Sequence, residues 1–316
     1  MRSGFSGEGR LRDRYGREVR GLRISVTSRC NLRCFYCHNE GCANGEREMT
    51  PEEIGEIAGI GAEFGIRSVK LTGGEPLLRD DILSIVREIS GAGCDDISMT
   101  TNGVLLSGMA SRLRDAGLTR VNISIDTLDP DAYEKITGSR SLGDVLSGVE
   151  AAVEAGLNPV KINMVLLAGI NEKEVHEMME YAFESGAVLQ LIELVNLNEE
   201  VFRRYHVDIG RYEEELRARA VRVLVRNDMQ ARRKYVLPGG EVEVVRPVHN
   251  TEFCAHCTRI RVTPDGYMKP CLMRSDRLFD VASHIRSKDR SGAVGEFLRA
   301  IEAREPFCRA AVGDGG

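Results

Sequence analysis

No stretch of the chain approaches the roughly 18 consecutive apolar residues that a membrane-crossing helix requires, which argues against a helical span. An excess of positive charge is also missing. Lys and Arg number 43 against 48 Asp and Glu, a formal charge of −5, so composition gives no reason to expect nucleic-acid binding. The N-terminus has no apolar run and so does not read as a secretory signal. It holds seven arginines in its first 23 residues (Arg2, Arg10, Arg12, Arg14, Arg17, Arg20 and Arg23), but Glu8, Asp13 and Glu18 argue against a transit peptide. A cytoplasmic protein is expected. There is no internal repeat beyond an alternation of strand and helix. The 316 residues, 42% of them hydrophobic, suffice for one large α/β domain with a C-terminal extension.

What the chain does have is cysteine, nine in all. In a reducing compartment these are not expected to form disulfides, and six of them fall into two triplets. The first is Cys30-Asn-Leu-Arg-Cys34-Phe-Tyr-Cys37; the second is Cys254-Ala-His-Cys257 with Cys271 following. Three thiolates on an iron–sulfur cluster leave one iron without a protein ligand, and an open iron can bind a small molecule. Two such clusters facing one chamber are therefore expected. A zinc site with His38 as fourth ligand fits the first triplet too, whereas Cys42 gives no usual ferredoxin spacing. The second triplet also fits a zinc knuckle completed by His249 or His256. Cys42, Cys94 and Cys308 are given no role.

The chain around these triplets alternates. Strands are expected at Leu22–Thr27, Ser68–Thr72, Asp96–Thr101, Thr119–Asp126, Pro159–Leu166 and Val188–Val195. Helices are expected at Pro51–Phe64, Asp81–Gly91, Ser107–Ala116, Ser141–Ala155 and Glu172–Ser185. Thr50 is a good N-cap with Pro51 at the first helical position, and Gly65, Gly117, Gly156 and Gly186 mark helix ends. Six βα units imply a parallel sheet. Within strands such as Val121-Asn122-Ile123-Ser124 and Val160-Lys161-Ile162-Asn163, polar and apolar residues alternate, as they do in Val69-Lys70-Leu71-Thr72, Ile97-Ser98-Met99-Thr100 and Leu191-Ile192-Glu193-Leu194. One face would then pack on helices while the other lines a polar cavity, favouring a partial (β/α)6 barrel. After Asn196 the rhythm changes to a helix near Asp208–Ala220, strands at Val221–Val225, Lys234–Leu237, Glu241–Val245, Ile260–Thr263 and Tyr267–Leu272, and a helix near Val294–Glu305. Residues 1–196 are thus expected to form the barrel and 197–316 an α+β extension around the second triplet.

The CxxxCxxC spacing with Tyr36 before its last cysteine resembles the radical S-adenosylmethionine superfamily. So does Thr72-Gly73-Gly74-Glu75-Pro76 one strand later. The resemblance implies a [4Fe–4S] cluster whose open iron is chelated by the cofactor's methionine moiety. Reductive cleavage of that cofactor then yields a radical that takes hydrogen from an unactivated C–H bond. Glu75 would accept from a cationic amine.

Further segments resemble the GTP 3′,8-cyclase family of molybdenum cofactor biosynthesis. They are Leu22–Asn31, Thr100-Thr101-Asn102-Gly103, Asn122–Asp126, Ile192-Glu193, and Phe253–Arg261 with Asp265-Gly266 and Cys271-Leu272. This resemblance implies a second [4Fe–4S] cluster on Cys254, Cys257 and Cys271 that meets guanine. It implies that Arg23, Lys70, Thr100, Lys161, Arg259, Ile260 and Arg261 contact GTP, and that Tyr36, Gly74, Ser124 and Val195 contact S-adenosylmethionine. It further implies an electron donor, a downstream enzyme that forms the cyclic pyranopterin, and a homodimer as one allowed assembly. Gln190 stands where relatives often carry arginine, and Val195 where they carry methionine; Gly315-Gly316 match a family tail. Taken as ordinary charges, these cations, Lys161 among them, would be surface residues or pair with Glu193 or Asp126. The other readings of the chain are a radical enzyme acting on a peptide and a non-catalytic metal-binding or electron-transfer protein.

Overall fold

The structure, a computed structural model, describes residues 11–41, 47–227, 229–248 and 250–306. Cys42, His249, Cys308, Gly315 and Gly316 lie outside them. The barrel strands are β1 (Gly21–Ser25), β2 (Ser68–Thr72), β3 (Asp96–Thr101), β4 (Arg120–Ser124), β5 (Val160–Val165) and β6 (Val188–Ile192). Among and after them come α1 (Pro51–Glu63), α2 (Ile82–Gly91), α3 (Ala110–Ala116), α4 (Pro130–Thr137), α5 (Leu142–Glu154) and α6 (Val175–Glu184). The extension holds α7 (Glu199–Tyr205), α8 (Gly210–Arg219), β7 (Arg222–Arg226), β8 (Arg232–Leu237), β9 (Gly240–Val245), α9 (Thr251–Ala255), β10 (Arg259–Val262), β11 (Tyr267–Lys269), β12 (Phe279–Asp280), α10 (Ala282–Arg286) and α11 (Arg290–Glu302). No helix among the described residues is long and apolar enough to cross a membrane.

The described residues divide into two compact units. The first comprises residues 11–29, 38–97 and 257–306. There β1 lies between β2 and β10, parallel to both, and β11 and β12 continue antiparallel beyond β10. Leu22, Ile24, Val69 and Leu71 are buried on one side of these strands, as are Ile54, Ile57, Ile85 and Val86 on α1 and α2. Helix α1 starts as expected. Thr50 accepts from the Glu53 amide at 3.3 Å, and the Glu53 carboxylate accepts from the Thr50 amide at 3.1 Å. Such caps contribute about 1 kcal/mol.

The second unit comprises residues 30–37 and 98–256. Here β3, β4, β5 and β6 pair in sequence order, all parallel, and β9 adds to β6 in parallel with β8 and β7 following antiparallel. Gly239, at φ 100°, makes the turn that the Pro238-Gly239-Gly240 run leads one to expect. The extension is shared out between the units, β7–β9 beside β6 and β10–β12 beside β1.

The alternation survives as burial. Val121, Ile123, Ile162, Met164, Leu189 and Leu191 are buried to the last atom or nearly so. The other face differs from expectation. Asn122, Lys161, Gln190 and Glu243 are also buried, and two of their bonds run between strands: Asn122 donates to Asn163 at 3.1 Å, and Lys161 donates to Glu243. Glu193 does not continue the polar face. Strand β6 ends at Ile192, and Glu193 shares the parity of Leu189 and Leu191; its carboxylate takes His206 at 3.1 Å and the Val248 amide at 3.1 Å. Helices α4, α7, α9 and α10 are additions to the expected set. The helix expected from Ser107 starts only at Ala110, after turns over residues 104–109.

Candidate active site

In the second unit the first cysteine triplet is held by what lies between its cysteines. The Arg33 amide donates to Thr137 at 2.8 Å and the Phe35 amide to Ile136 at 3.1 Å, tying the loop to the end of α4. Phe35 and Tyr36 pack against Ile136, Leu167 and Leu194, with the Phe35 and Tyr205 ring centroids 4.7 Å apart. Full burial of such a ring contributes about 1.5–3 kcal/mol, and these rings, partly buried, gain a share of it. With the aromatics facing inward, Cys30 and Cys37 remain exposed and Cys34 half-buried. Leu32 offers its amide to the Cys30 sulfur at 3.4 Å, and Asn102, hydrogen-bonded to Asn31 at 2.7 Å, lies 3.9 Å from that sulfur.

The electrostatics of this trio suit a cationic guest. Burial pushes the Cys34 thiol up, and Asp126, Cys37 and Cys30 push it further in the same direction. Thiolates close enough to oppose one another's ionisation are stabilised together by metal. Among the described residues no three His, Cys, Asp or Glu side chains gather around the position of a single ion. The donor set fits a multi-iron cluster with three thiolate ligands. Tyr36 donates its hydroxyl to Asp126 at 2.5 Å, while the other Asp126 oxygen accepts from the Val165 amide at 2.8 Å. Burial lifts the Asp126 carboxyl to about 6 against these two hydrogen bonds. Ser124 ends β4 in register with Asn163; Thr100 on β3 is in register with Asn122; Val195 follows β6.

Lys161 lies beside neither Glu193 nor Asp126. It is 4% exposed and donates to Glu243 of β9, a carboxylate also faced by Arg232 at 3.5 Å and Arg226 at 3.7 Å. Burial would raise the Glu243 carboxyl, but Lys161, Arg232 and Arg226 more than offset it and hold it down at about 2.

In the first unit the Gly73-Gly74 turn explains itself without a ligand. A Cβ on Gly74 would sit 2.1 Å from the Arg29 carbonyl oxygen, and one on Gly73, at φ 144°, would sit 2.3 Å from that of Thr27. Those carbonyls accept instead from the Gly74 amide, at 2.8 Å from Thr27, and the Glu75 amide, at 2.7 Å from Arg29. Glu75 turns its carboxylate to the Leu77 amide at 3.0 Å. The glycines let the turn press against the residues that lead into Cys30.

The same unit carries a row of cations. Arg261 of β10, Arg23 of β1 and Lys70 of β2 are register partners on three adjacent parallel strands, so their side chains leave one face. Arg259 pairs with Gly21 two residues earlier on that face, Ile260 points into the core, and Lys269 of β11 pairs with Arg261. Glu40, which sequence reasoning passed over, accepts from both Arg23 and Arg261. His38, offered above as a metal ligand, has its Nδ1 buried without a hydrogen bond, and burial pulls its imidazole pKa down.

Of the second triplet, Cys254 sits on α9 in the second unit, and Cys257 and Cys271 belong to the first. All three are half-buried thiols. Burial raises the Cys257 thiol, but Arg304, the Arg259 amide and the charges of Arg259 and Arg17 bring it below its usual value. Arg304 was not singled out from sequence. It is 1% exposed and donates to the Cys257 carbonyl while meeting Asp13 at 3.2 Å.

Residues 24–182 match the family model of the Radical SAM superfamily, and residues 187–308 match that of Molybdenum Cofactor Synthesis C. A protein of Methanocaldococcus jannaschii named probable GTP 3′,8-cyclase is 47% identical over 298 residues, covering 94% of this chain and 99% of its own. One of the same name from Methanothermobacter marburgensis is 49% identical over 300 residues, covering 94% and 98%. The chain belongs to the GTP 3′,8-cyclase family of radical SAM proteins. Streptococcus suis SuiB shares the fold: bound to S-adenosylmethionine it superposes with a TM-score of 0.61 at 15% identity, covering 85% of this chain and 63% of its own. With its precursor peptide SuiA the TM-score is 0.65 at 16% identity, covering 92% and 67%. The chain thus spans about two thirds of SuiB's length. Membership in the family brings a [4Fe–4S] cluster and S-adenosylmethionine as cofactors.

Proposed function

We propose that the protein cyclises GTP to (8S)-3′,8-cyclo-7,8-dihydroguanosine 5′-triphosphate, the first step of molybdenum cofactor biosynthesis, in the cytoplasm. The observation that carries this reading is the in-register row of Arg261, Arg23 and Lys70, with Arg259 on the same face. A triphosphate brings several negative charges. A pair of opposite charges about 4 Å apart is worth roughly 4 kcal/mol at an effective dielectric near 20, and arginine adds the two-pronged geometry that phosphate oxygens accept. Near-full-length relatives at 47–49% identity bear the cyclase name, whereas the peptide-bound SuiB at 16% speaks for fold alone. The cyclase reading is therefore favoured over a peptide substrate.

In this reading residues 1–196 carry the radical chemistry and 197–316 the second cluster. Cys30, Cys34 and Cys37 hold one [4Fe–4S] cluster; Tyr36, Gly74, Ser124 and Val195 wall the S-adenosylmethionine site. Cys254, Cys257 and Cys271 hold a second cluster that receives the base. Arg23, Lys70, Thr100, Lys161, Arg259 and Arg261 line the nucleotide with their side chains, and Ile260, whose side chain is in the core, with its backbone. Bound, these cofactors supply a radical able to take hydrogen from an unactivated C–H bond, here the ribose C3′–H, so that C3′ can join guanine C8. The chain's own work is positional. The cations neutralise and orient the triphosphate, the Tyr36–Asp126 pair stiffens the cysteine loop, and the apolar cluster beneath Phe35 keeps water from its underside. An electron donor must feed the reaction, and a further enzyme must turn the product into the cyclic pyranopterin.

The test is an anaerobic incubation with reductant, S-adenosylmethionine and GTP. Formation of 5′-deoxyadenosine and cyclised nucleotide in step is expected. Cofactor cleavage without cyclised nucleotide, or cleavage stimulated by peptides instead of GTP, would overturn the reading.

A further inference from the structure

Glu40 occupies the cationic row described above. Its two carboxylate oxygens are divided between the strands: Oε1 accepts from Arg23 on β1 and from the Thr72 hydroxyl of β2 at 3.2 Å, and Oε2 accepts from Arg261 on β10. Arg23 and Arg261 are register partners, and Thr72 leaves the same face as Lys70. One carboxylate therefore receives donors from three adjacent strands, the arrangement a phosphate group would find. The residue is 8% exposed, and neither arginine has been left to bulk water. Burial opposes its charge, but Arg23 and Arg261 hold the carboxyl well below the ordinary carboxylate range.

Glu40 differs from Glu243, another buried carboxylate that faces several cations. Glu243 projects from the middle of β9, paired on both sides with Gln190 of β6 and Lys234 of β8, and is fully enclosed. Glu40 sits in a short turn, Asn39–Gly41, with its backbone in the left-handed region at φ 53°, three residues beyond Cys37 in the chain and outside any strand. Rotation about its own side-chain bonds removes it from the row without moving a strand.

We propose that Glu40 is a built-in phosphate mimic. In the free enzyme it holds Arg23 and Arg261 in their binding orientation, and a ligand phosphate must displace it. This rests on the reading of the row as a nucleotide triphosphate site. Displacement makes phosphate binding a competition between two anions for the same arginines. Nucleotides whose phosphates reach Arg23 and Arg261 meet that competition and prevail by their greater charge; a nucleoside without phosphates does not meet it. The residue thereby weakens binding of the triphosphate while keeping the cations from repelling one another when the site is empty.

The experiment is anaerobic calorimetric titration of the reconstituted protein with GTP, inorganic tripolyphosphate and guanosine, comparing wild type with Glu40→Gln and Glu40→Asp. Glutamine keeps the shape and one acceptor without the charge; aspartate keeps the charge on a shorter arm. The expected result is at least tenfold tighter binding of GTP and of tripolyphosphate by Glu40→Gln, a smaller gain for Glu40→Asp, and unchanged binding of guanosine. Thermal unfolding supplies a second reading: Glu40→Gln should melt lower than wild type when free and regain the difference when tripolyphosphate is bound. Unchanged or weaker tripolyphosphate binding by Glu40→Gln overturns the proposal, since a residue that merely braces the arginines would lose affinity when removed. Should wild type bind tripolyphosphate but not GTP, the substrate reading fails while the displacement proposal is still decided by the tripolyphosphate arm.

Discussion

A carboxylate surrounded by cations inside a folded protein makes stability depend on acid in a direction that can be worked out. The Glu243 carboxyl lies at about 2 in the folded protein against an ordinary 4.5. A folded-state value below the unfolded one means that its contribution is complete above about 4.5 and disappears as the pH falls through the window down to about 2. Wild type is therefore expected to lose stability across that window, and Glu243→Gln to lose less there. At pH 7 the variant should be less stable by about 3–5 kcal/mol, because Lys161, Arg232 and Arg226 are left without their shared anion. Denaturant titrations at pH 3, 5 and 7 check both points, and parallel acid limbs would contradict them. The position of Lys161 was legible in the sequence, since a lysine between Val160 and Ile162 stands out in a strand. Its partner was not, because Glu243 is 82 residues away and meets it only through the pairing of β6 with β9. Glu40 was hidden for the same reason: nothing local in Cys37-His38-Asn39-Glu40 announces two arginines drawn from β1 and β10.

Elements were easier to read than partners. The polar–apolar alternation in β2, β4 and β5 and the glycines at positive φ after α1, α3, α5 and α6 placed most boundaries within a few residues. Helices α4 and α7 escaped because their apolar stripes are thin: α7 buries no residue, and α4 buries only Tyr133, Ile136 and Thr137. Their caps, Asp129 before Pro130 and Asn198 before Glu199, were the signal that existed. The Gly73-Gly74 turn was legible as a close approach, but what approaches was not. It is the Thr27–Arg29 backbone, a contact fixed by the pairing of β1 with β2. Gly74→Ala places a methyl group against the Arg29 carbonyl and is expected to displace the residues leading into Cys30. A cost of about 1–3 kcal/mol is usual for such overpacking. After anaerobic reconstitution the variant should retain about half the wild-type iron, with the second triplet still loaded; full iron content would contradict this.

Across the chain as a whole, the strand partners of the extension were the least legible feature. Its first strands complete the edge beyond β6 and its last strands the edge beyond β1, a division that register fixes and no local pattern announces. In the first unit residues from both ends of the chain meet at Arg304, which bonds the Cys257 carbonyl and Asp13 while Asp13 also holds Arg17 at 2.8 Å. Arg304→Met should lower stability by about 1–3 kcal/mol, the range for leaving buried polar groups short of a partner. It should release iron from the second triplet faster than from the first when a chelator is added, and equal release from both would contradict the assignment. Most direct is electron paramagnetic resonance of the anaerobically reduced protein, alone, with S-adenosylmethionine and with GTP. Two [4Fe–4S] signals are expected, one shifted by S-adenosylmethionine and the other by GTP, with Cys271→Ser abolishing the GTP response alone. A single cluster signal, or two that ignore GTP, would contradict the idea that this chain offers one open iron to its cofactor and another to a purine.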